Sequence, residues 1–95
     1  MGTINRIRRN MHFVTGTDEK RIYELLEHPG LDSLIFDLEE LVPPELKDSA
    51  RKLVCSVIES GVFQEKGIET VVRINPVNTY WYVDDILELV KVSPI

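Results

Sequence analysis

A single α/β domain on a parallel sheet, in the order β-α-β-α-β-α, is the architecture this sequence predicts. Three observations carry that expectation. The first is a pair of short, nearly continuous apolar runs, Ser33 to Leu38 and Thr70 to Ile74, which is how strands buried on both faces read. The second is that helical stripes of apolar residues lie between and after them. The third is that each run stops at residues that break pairing: Pro43 and Pro44 soon after the first, Asn75-Pro76 directly after the second. Strands alternating with amphipathic helices imply right-handed crossovers and a parallel sheet.

Met11 to Val14 forms the first, brief strand. Thr15-Gly16-Thr17-Asp18 is a turn leading into a helix near 18–28, with Thr17 or Asp18 as the capping side chain. Ile22, Leu25 and Leu26 supply its apolar stripe, and Gly30 after Pro29 marks its stop. The second strand covers 33–38. Pro43 and Pro44 cannot continue strand pairing and pre-set a helix start. A helix near 45–60 follows, with Leu46, Ala50, Leu53, Val54, Val57 and Ile58 at 3.6-residue spacing and Gly61 ending it. The third strand spans 70–74 and is apolar apart from Arg73. Val83, Ile86, Leu87 and Val90 form the stripe of a last helix over 83–92, stopped by Ser93-Pro94.

The chain has 95 residues, enough for one small domain over 1–95. It is 43% apolar and 28% charged, a composition that builds a core rather than a disordered chain. Eleven basic against sixteen acidic residues give a net charge of −5, which argues against nucleic acid as a partner. Arg6, Arg8 and Arg9 are the exception, a flexible basic arm over residues 1–9. No stretch is long and apolar enough for a signal peptide or a membrane span, so no membrane partner is expected. A single cysteine, Cys55, rules out an internal disulfide and suits a reducing cytoplasm.

The chemistry concentrates at strand ends. The second strand runs into three carboxylates within four positions, Asp37, Glu39 and Glu40. In a parallel α/β sheet the carboxyl ends of the strands are where ligands are handled. The three βα junctions, at Thr15-Gly16, at Asp37 to Leu41 and at Arg73 to Pro76, fall on one edge. Arg73 therefore lies near the acids of the neighbouring strand, and a charge in an apolar strand requires a partner.

Phe13-Val14-Thr15-Gly16, then Ile35-Phe36-Asp37-Leu38-Glu39-Glu40 with Pro43-Pro44 and Lys47…Ala50-Arg51, then Val72-Arg73-Ile74-Asn75-Pro76, resemble the opening of the citrate lyase beta subunit family, which includes the malyl-CoA and citramalyl-CoA lyases. The resemblance runs from about residue 9 to 95 and rests on the order and spacing of the motifs together. It implies the first three βα units of a phosphoenolpyruvate-type (β/α)8 barrel, a magnesium ion, and making or breaking a carbon–carbon bond beside a CoA or acyl-carrier thioester. It also implies that Arg73 binds the substrate carboxylate or thioester oxygen and steadies an enolate. Asp37, Glu39 and Glu40 then stand near metal and substrate without ligating the ion. The family has proline where this chain has Thr15 and aspartate where it has Glu40. A complete barrel takes roughly 250 residues, and the family's magnesium-binding glutamate and aspartate lie on later strands. The expectation is therefore an amino-terminal portion of a lyase that binds no metal tightly and has no activity by itself.

Each residue also has a plainer reading. Arg73 serves as a structural ion pair with Asp37 or Glu39, a role compatible with the functional one. Asp37 and Glu39 cap and solvate a strand end, and Glu40 is a first-turn acid favouring the helix dipole. Asn75 and Pro76 shape a loop. Arg8 and Arg9 form a solvated arm in preference to meeting CoA phosphates. His12 is a core or edge histidine, and Cys55 a small hydrophobe on an apolar helix face. Trp81, with Tyr80 and Tyr82, covers the loop after the third strand, and Lys47 and Arg51 form a solvated helix face. Two function classes follow: part of a lyase, or a non-catalytic binding or assembly module derived from the family. A phosphoacceptor domain using Asp37 is weaker, because Thr15-Gly16 stands where it needs further acids. A three-stranded sheet with Leu34, Phe36, Val72 and Ile74 incompletely covered predicts a homo-oligomer.

Overall fold

A computed structural model describes residues 10–92 of the chain. The basic arm with Arg6, Arg8 and Arg9, and the Ser93-Pro94 stop, lie outside the described residues. Strands β1 (Met11–Thr15), β2 (Ser33–Asp37) and β3 (Glu69–Arg73) form one sheet in the order β1-β2-β3. Both pairings are parallel, with Thr15 opposite Asp37 and Asp37 opposite Arg73. Helix α1 (Glu19–Leu26) connects β1 to β2. A 3-10 turn at Pro44–Leu46, helix α2 (Lys47–Ser60) and a short helix α3 (Val62–Glu65) connect β2 to β3, and α4 (Tyr82–Val92) follows.

The local chemistry explains most boundaries. The Asp18 side chain accepts from the Arg21 N–H at 3.1 Å and caps α1. That helix ends at Leu26, before the Gly30 stop the sequence suggests. The cause is Pro29, which drives its preceding residue out of the helical region. Gly30, with φ of 77°, serves the turn beyond. Gly61, with φ of 74°, closes α2 in the left-handed conformation. Helix α3 is an addition to the expected elements. The side chain of Phe63 drives it, being buried and edge-on to Phe36 with ring centroids 6.0 Å apart.

Strand alternation sorts side chains onto two unlike faces. Val14, Leu34 and Phe36 point to the helices and pack with Ile22 and Leu25 of α1 and with Ala50, Val54, Val57 and Ile58 of α2. Burying a side chain such as Phe36 contributes roughly 2–3 kcal/mol. Leu34 and Phe36 are thus fully covered, so the expectation of incomplete cover for Leu34, Phe36, Val72 and Ile74 fails for the first two. Val72 packs partly against the core, and Ile74 is half-buried. The open face is the opposite one. Met11 is 51% exposed, Phe13 56% and Val71 41%, around a buried Ile35.

Helix α4 departs from its sequence stripe. It meets the rest of the fold through Asp85, Leu89 and Val92. Val83, Ile86, Leu87 and Val90, the residues at core spacing, face outward. The amphipathic pattern is real, but much of the face it defines is open among the described residues. No helix among them is long and apolar enough to cross a membrane.

Candidate functional site at the carboxyl edge of the sheet

The edge is built by extending the strand ladder past the strand ends. The Gly16 N–H donates to the Asp37 carbonyl at 2.9 Å, and the Leu38 N–H to the Arg73 carbonyl at 3.0 Å. Gly16 is required by close approach. A Cβ there would lie 2.9 Å from Leu38 Cδ2 and 3.2 Å from the Asp37 carbonyl oxygen.

Asp37 is the centre of the site and is fully buried. Its Oδ1 accepts from the N–H of Glu39 at 2.9 Å, the N–H of Glu40 at 3.3 Å and Arg73 Nε at 3.0 Å. Its Oδ2 accepts from the Leu41 N–H at 2.9 Å and from Arg73 Nη2 at 2.9 Å. Burial alone would raise this carboxyl's pKa. The Arg73 hydrogen bonds and the amides of Glu39 and Leu41 outweigh burial and hold it at about 2, below its ordinary 3.8. Arg73 is in turn pushed up from its ordinary value, chiefly by its hydrogen bonds to Asp37.

Arg73 therefore meets the acids of the β2 end. Beyond the two-point contact with Asp37, its Nη2 donates to Glu40 Oε1 at 3.2 Å, and its Nε lies 3.8 Å from Glu39 Oε1. The guanidinium carbon sits 5.5 Å from the Phe13 ring centroid, within cation–π range. Arg73 Nη1 has no hydrogen-bond partner among the described residues, and the side chain is 37% exposed. The arrangement holds a rigid cation with one donor group left for an anion. Thr15 stands beside it, its Oγ1 3.2 Å from Thr17 Oγ1 and 3.4 Å from the Leu41 carbonyl.

A magnesium ion does not fit the residues present. The Asp37 oxygens are occupied by five donors, and Glu40 is paired with Arg73. Among the described residues, no three His, Cys, Asp or Glu side chains are grouped to hold an ion.

Lys47 and Arg51 are not a solvated face: both are buried. Lys47 Nζ donates to the carbonyls of Leu38 at 3.1 Å and Glu39 at 2.9 Å and lies 5.0 Å from the Trp81 ring centroid. Arg51 bonds Asp48 at 2.9 Å and the buried Asp85 at 3.3 Å. Burial would lower its pKa, but these two acids raise it. Asp85 also accepts from the Asn75 N–H at 3.1 Å and Asn75 Nδ2 at 2.7 Å. Asn75 thus shapes the β3–α4 loop.

A spacing signal existed for the two cations. Lys47 and Arg51 fall on the same helical face as Ala50, Val54 and Ile58. Asp85 had no comparable signal.

The other singled-out residues lie elsewhere. Tyr80 is 87% exposed and stands edge-on to Trp81, with ring centroids 6.0 Å apart, while Trp81 and Tyr82 are half-buried. His12 is half-buried, its ring 4.8 Å from that of His28. Cys55 is half-buried, in a cleft between α2 and α4 that also involves Arg51, Glu59 and Glu88. Its surroundings are mixed rather than apolar, and burial followed by Glu88 pushes its thiol up.

Comparison with known proteins identifies relatives over most of the chain. Three relatives are citrate lyase beta subunits. That of Escherichia coli (strain K12) is 35% identical, that of Haemophilus influenzae (strain ATCC 51907 / DSM 11121 / KW20 / Rd) 36%, and that of Leuconostoc mesenteroides subsp. cremoris 40%. Each match spans 86 residues, 90% of this chain and 28% of the relative. The chain thus spans little more than a quarter of the length of these relatives. Residues 9–94 match the HpcH/HpaI aldolase/citrate lyase family, and the chain belongs to that family.

Proposed function

We propose that the chain is the amino-terminal part of a magnesium-dependent carbon–carbon lyase acting on a CoA or acyl-carrier thioester of citrate or malate type, without activity of its own. The observation that carries this reading is Arg73. Its guanidinium is fixed at the carboxyl end of β3 by Asp37, lies over Phe13, and keeps Nη1 for a ligand oxygen. A cation held in advance at that place stabilises negative charge developing on a thioester enolate. Asp37 sets the plane of the guanidinium, and Glu39 and Glu40 flank it. These acids orient the arginine and do not hold the ion, whose ligands belong to other parts of a lyase. The single cysteine, Cys55, suits a cytoplasmic protein.

The open apolar surfaces favour a second reading, a non-catalytic assembly module. Met11, Phe13 and Val71 on the sheet and Val83, Ile86, Leu87 and Val90 on α4 are exposed. In either reading we place a second copy of the chain against these surfaces, as a two-fold dimer.

The experiment is to incubate the purified 95-residue chain with citryl, malyl-CoA and citramalyl-CoA thioesters and magnesium, and to measure acetyl-CoA binding by calorimetry. No turnover is expected, together with weak binding that Arg73→Ala removes. Turnover abolished by Arg73→Ala would overturn the inactivity, and binding indifferent to Arg73→Ala would overturn the site.

A further inference from the structure

We infer that Lys47 and Arg51 are positioning residues that hold the two loops beside the Arg73–Asp37 edge in register with one another. The inference deepens the reading of that edge as the functional one and rests on it.

The geometry is specific at the level of peptide units. A trans peptide points its C=O and N–H in opposite directions. Lys47 Nζ takes the carbonyls of Leu38 and Glu39. The N–H groups of those same two peptide units belong to Glu39 and Glu40, and both point at Asp37 Oδ1. The ammonium therefore grips one side of two peptide planes, and the carboxylate grips the other. Lys47 aims two of the amides that bond Asp37 and polarises them. Hydrogen bonds linked in this way reinforce each other.

The same ammonium also reaches the next loop, through the face of Trp81. One turn further along α2, Arg51 reaches that loop by a second route. It bonds Asp85, which takes both Asn75 donors two residues after Arg73. One rigid helix thus fixes the loop that carries the acids and the loop that follows the arginine. Lys47 has no carboxylate partner among the described residues. A buried cation without a counter-ion is a costly way to stabilise a helix, because its desolvation is unrelieved by a charge. Its two carbonyl bonds and the ring account for its place.

The test uses the full chain labelled with nitrogen-15. Amide hydrogen exchange is read at Glu39 and Glu40 in the wild type, Lys47→Met, Lys47→Arg and Lys52→Met, with malonate affinity and Trp81 emission measured alongside. In Lys47→Met the two amides should exchange at least about tenfold faster, Trp81 emission should shift, and malonate should bind more weakly. Lys47→Arg should restore protection, and Lys52→Met, on the exposed side of the same helix, should change nothing. Unchanged exchange at Glu39 and Glu40 in Lys47→Met overturns the inference. Failure of the wild type to bind malonate overturns the functional reading instead, while the exchange data still decide the role of Lys47. Should Lys47→Met not fold, the wild-type ammonium decides: a resolved, slowly exchanging Lys47 Nζ resonance at neutral pH supports the clamp, and rapid exchange there overturns it.

Discussion

Replacing Asp37 with asparagine keeps the shape of the side chain and removes its charge, and the cost follows from the contacts. The carboxyl is held at about 2 against an ordinary 3.8. At about 1.4 kcal/mol per unit, the charge contributes roughly 2 kcal/mol at neutral pH. Asparagine also puts an NH2 where only donors point, leaving one buried N–H without an acceptor at about 1 kcal/mol or more. Arg73 is partly exposed and regains water, which keeps the total near the lower end, about 3 kcal/mol. For a domain of this size, that lowers the melting temperature by on the order of 15 °C.

The pH dependence carries the sign. A depressed folded-state pKa gives stability that is complete above 3.8 and is lost as pH falls toward about 2. Circular-dichroism melts of wild type and Asp37→Asn across acidic to neutral pH should therefore differ most at neutrality and converge in acid. Equal melting at neutral pH, or a gap that does not narrow in acid, would refute the assignment of charge at Asp37.

Two further outcomes are expected. Gly16→Ala sets a Cβ 2.9 Å from Leu38 Cδ2 and 3.2 Å from the Asp37 carbonyl, so urea titration should show a loss of about 1–3 kcal/mol; an unchanged midpoint would mean that the turn has room to relax. Light scattering at micromolar concentration should give a dimer that Phe13→Glu or Leu87→Glu weakens; a wild-type monomer melting independently of concentration contradicts the proposed pairing.

The sequence was most legible where one physical signal acted alone. Leu34 to Phe36 and Thr70 to Val72 announced strands, and Pro43-Pro44 and Asn75-Pro76 announced where they stop. Parallel pairing then brought Asp37 and Arg73 together, because both end their strands. Which sheet face the helices cover was harder. Alternation alone does not say that Leu34 and Phe36, rather than Phe13 and Val71, meet α1 and α2. The stripe of α4 misled for a related reason: apolar spacing marks a face that can pack, not one that has a partner in the described chain. Charge alone places Lys47 and Arg51 on a solvated face, although they lie at stripe positions. What buries them is a set of backbone carbonyls and a carboxylate 34 positions away from Arg51, and no local pattern records such partners. Helix α3 is a single turn held by Phe63, too short for periodicity to reveal.

Arg73 presents a held cation with a donor to spare. Proton–nitrogen spectra of the arginine side chains during titration with malonate test this most directly. Arg73 Nε–H should be resolved in the absence of ligand, because Asp37 holds it, and should remain bonded while the Nη1 protons and the Phe13 ring shift on saturation. Arg73→Lys, which lacks the planar fork, should not reproduce those shifts. Spectra in which malonate leaves Arg73 and Phe13 unmoved while binding elsewhere would contradict the claim.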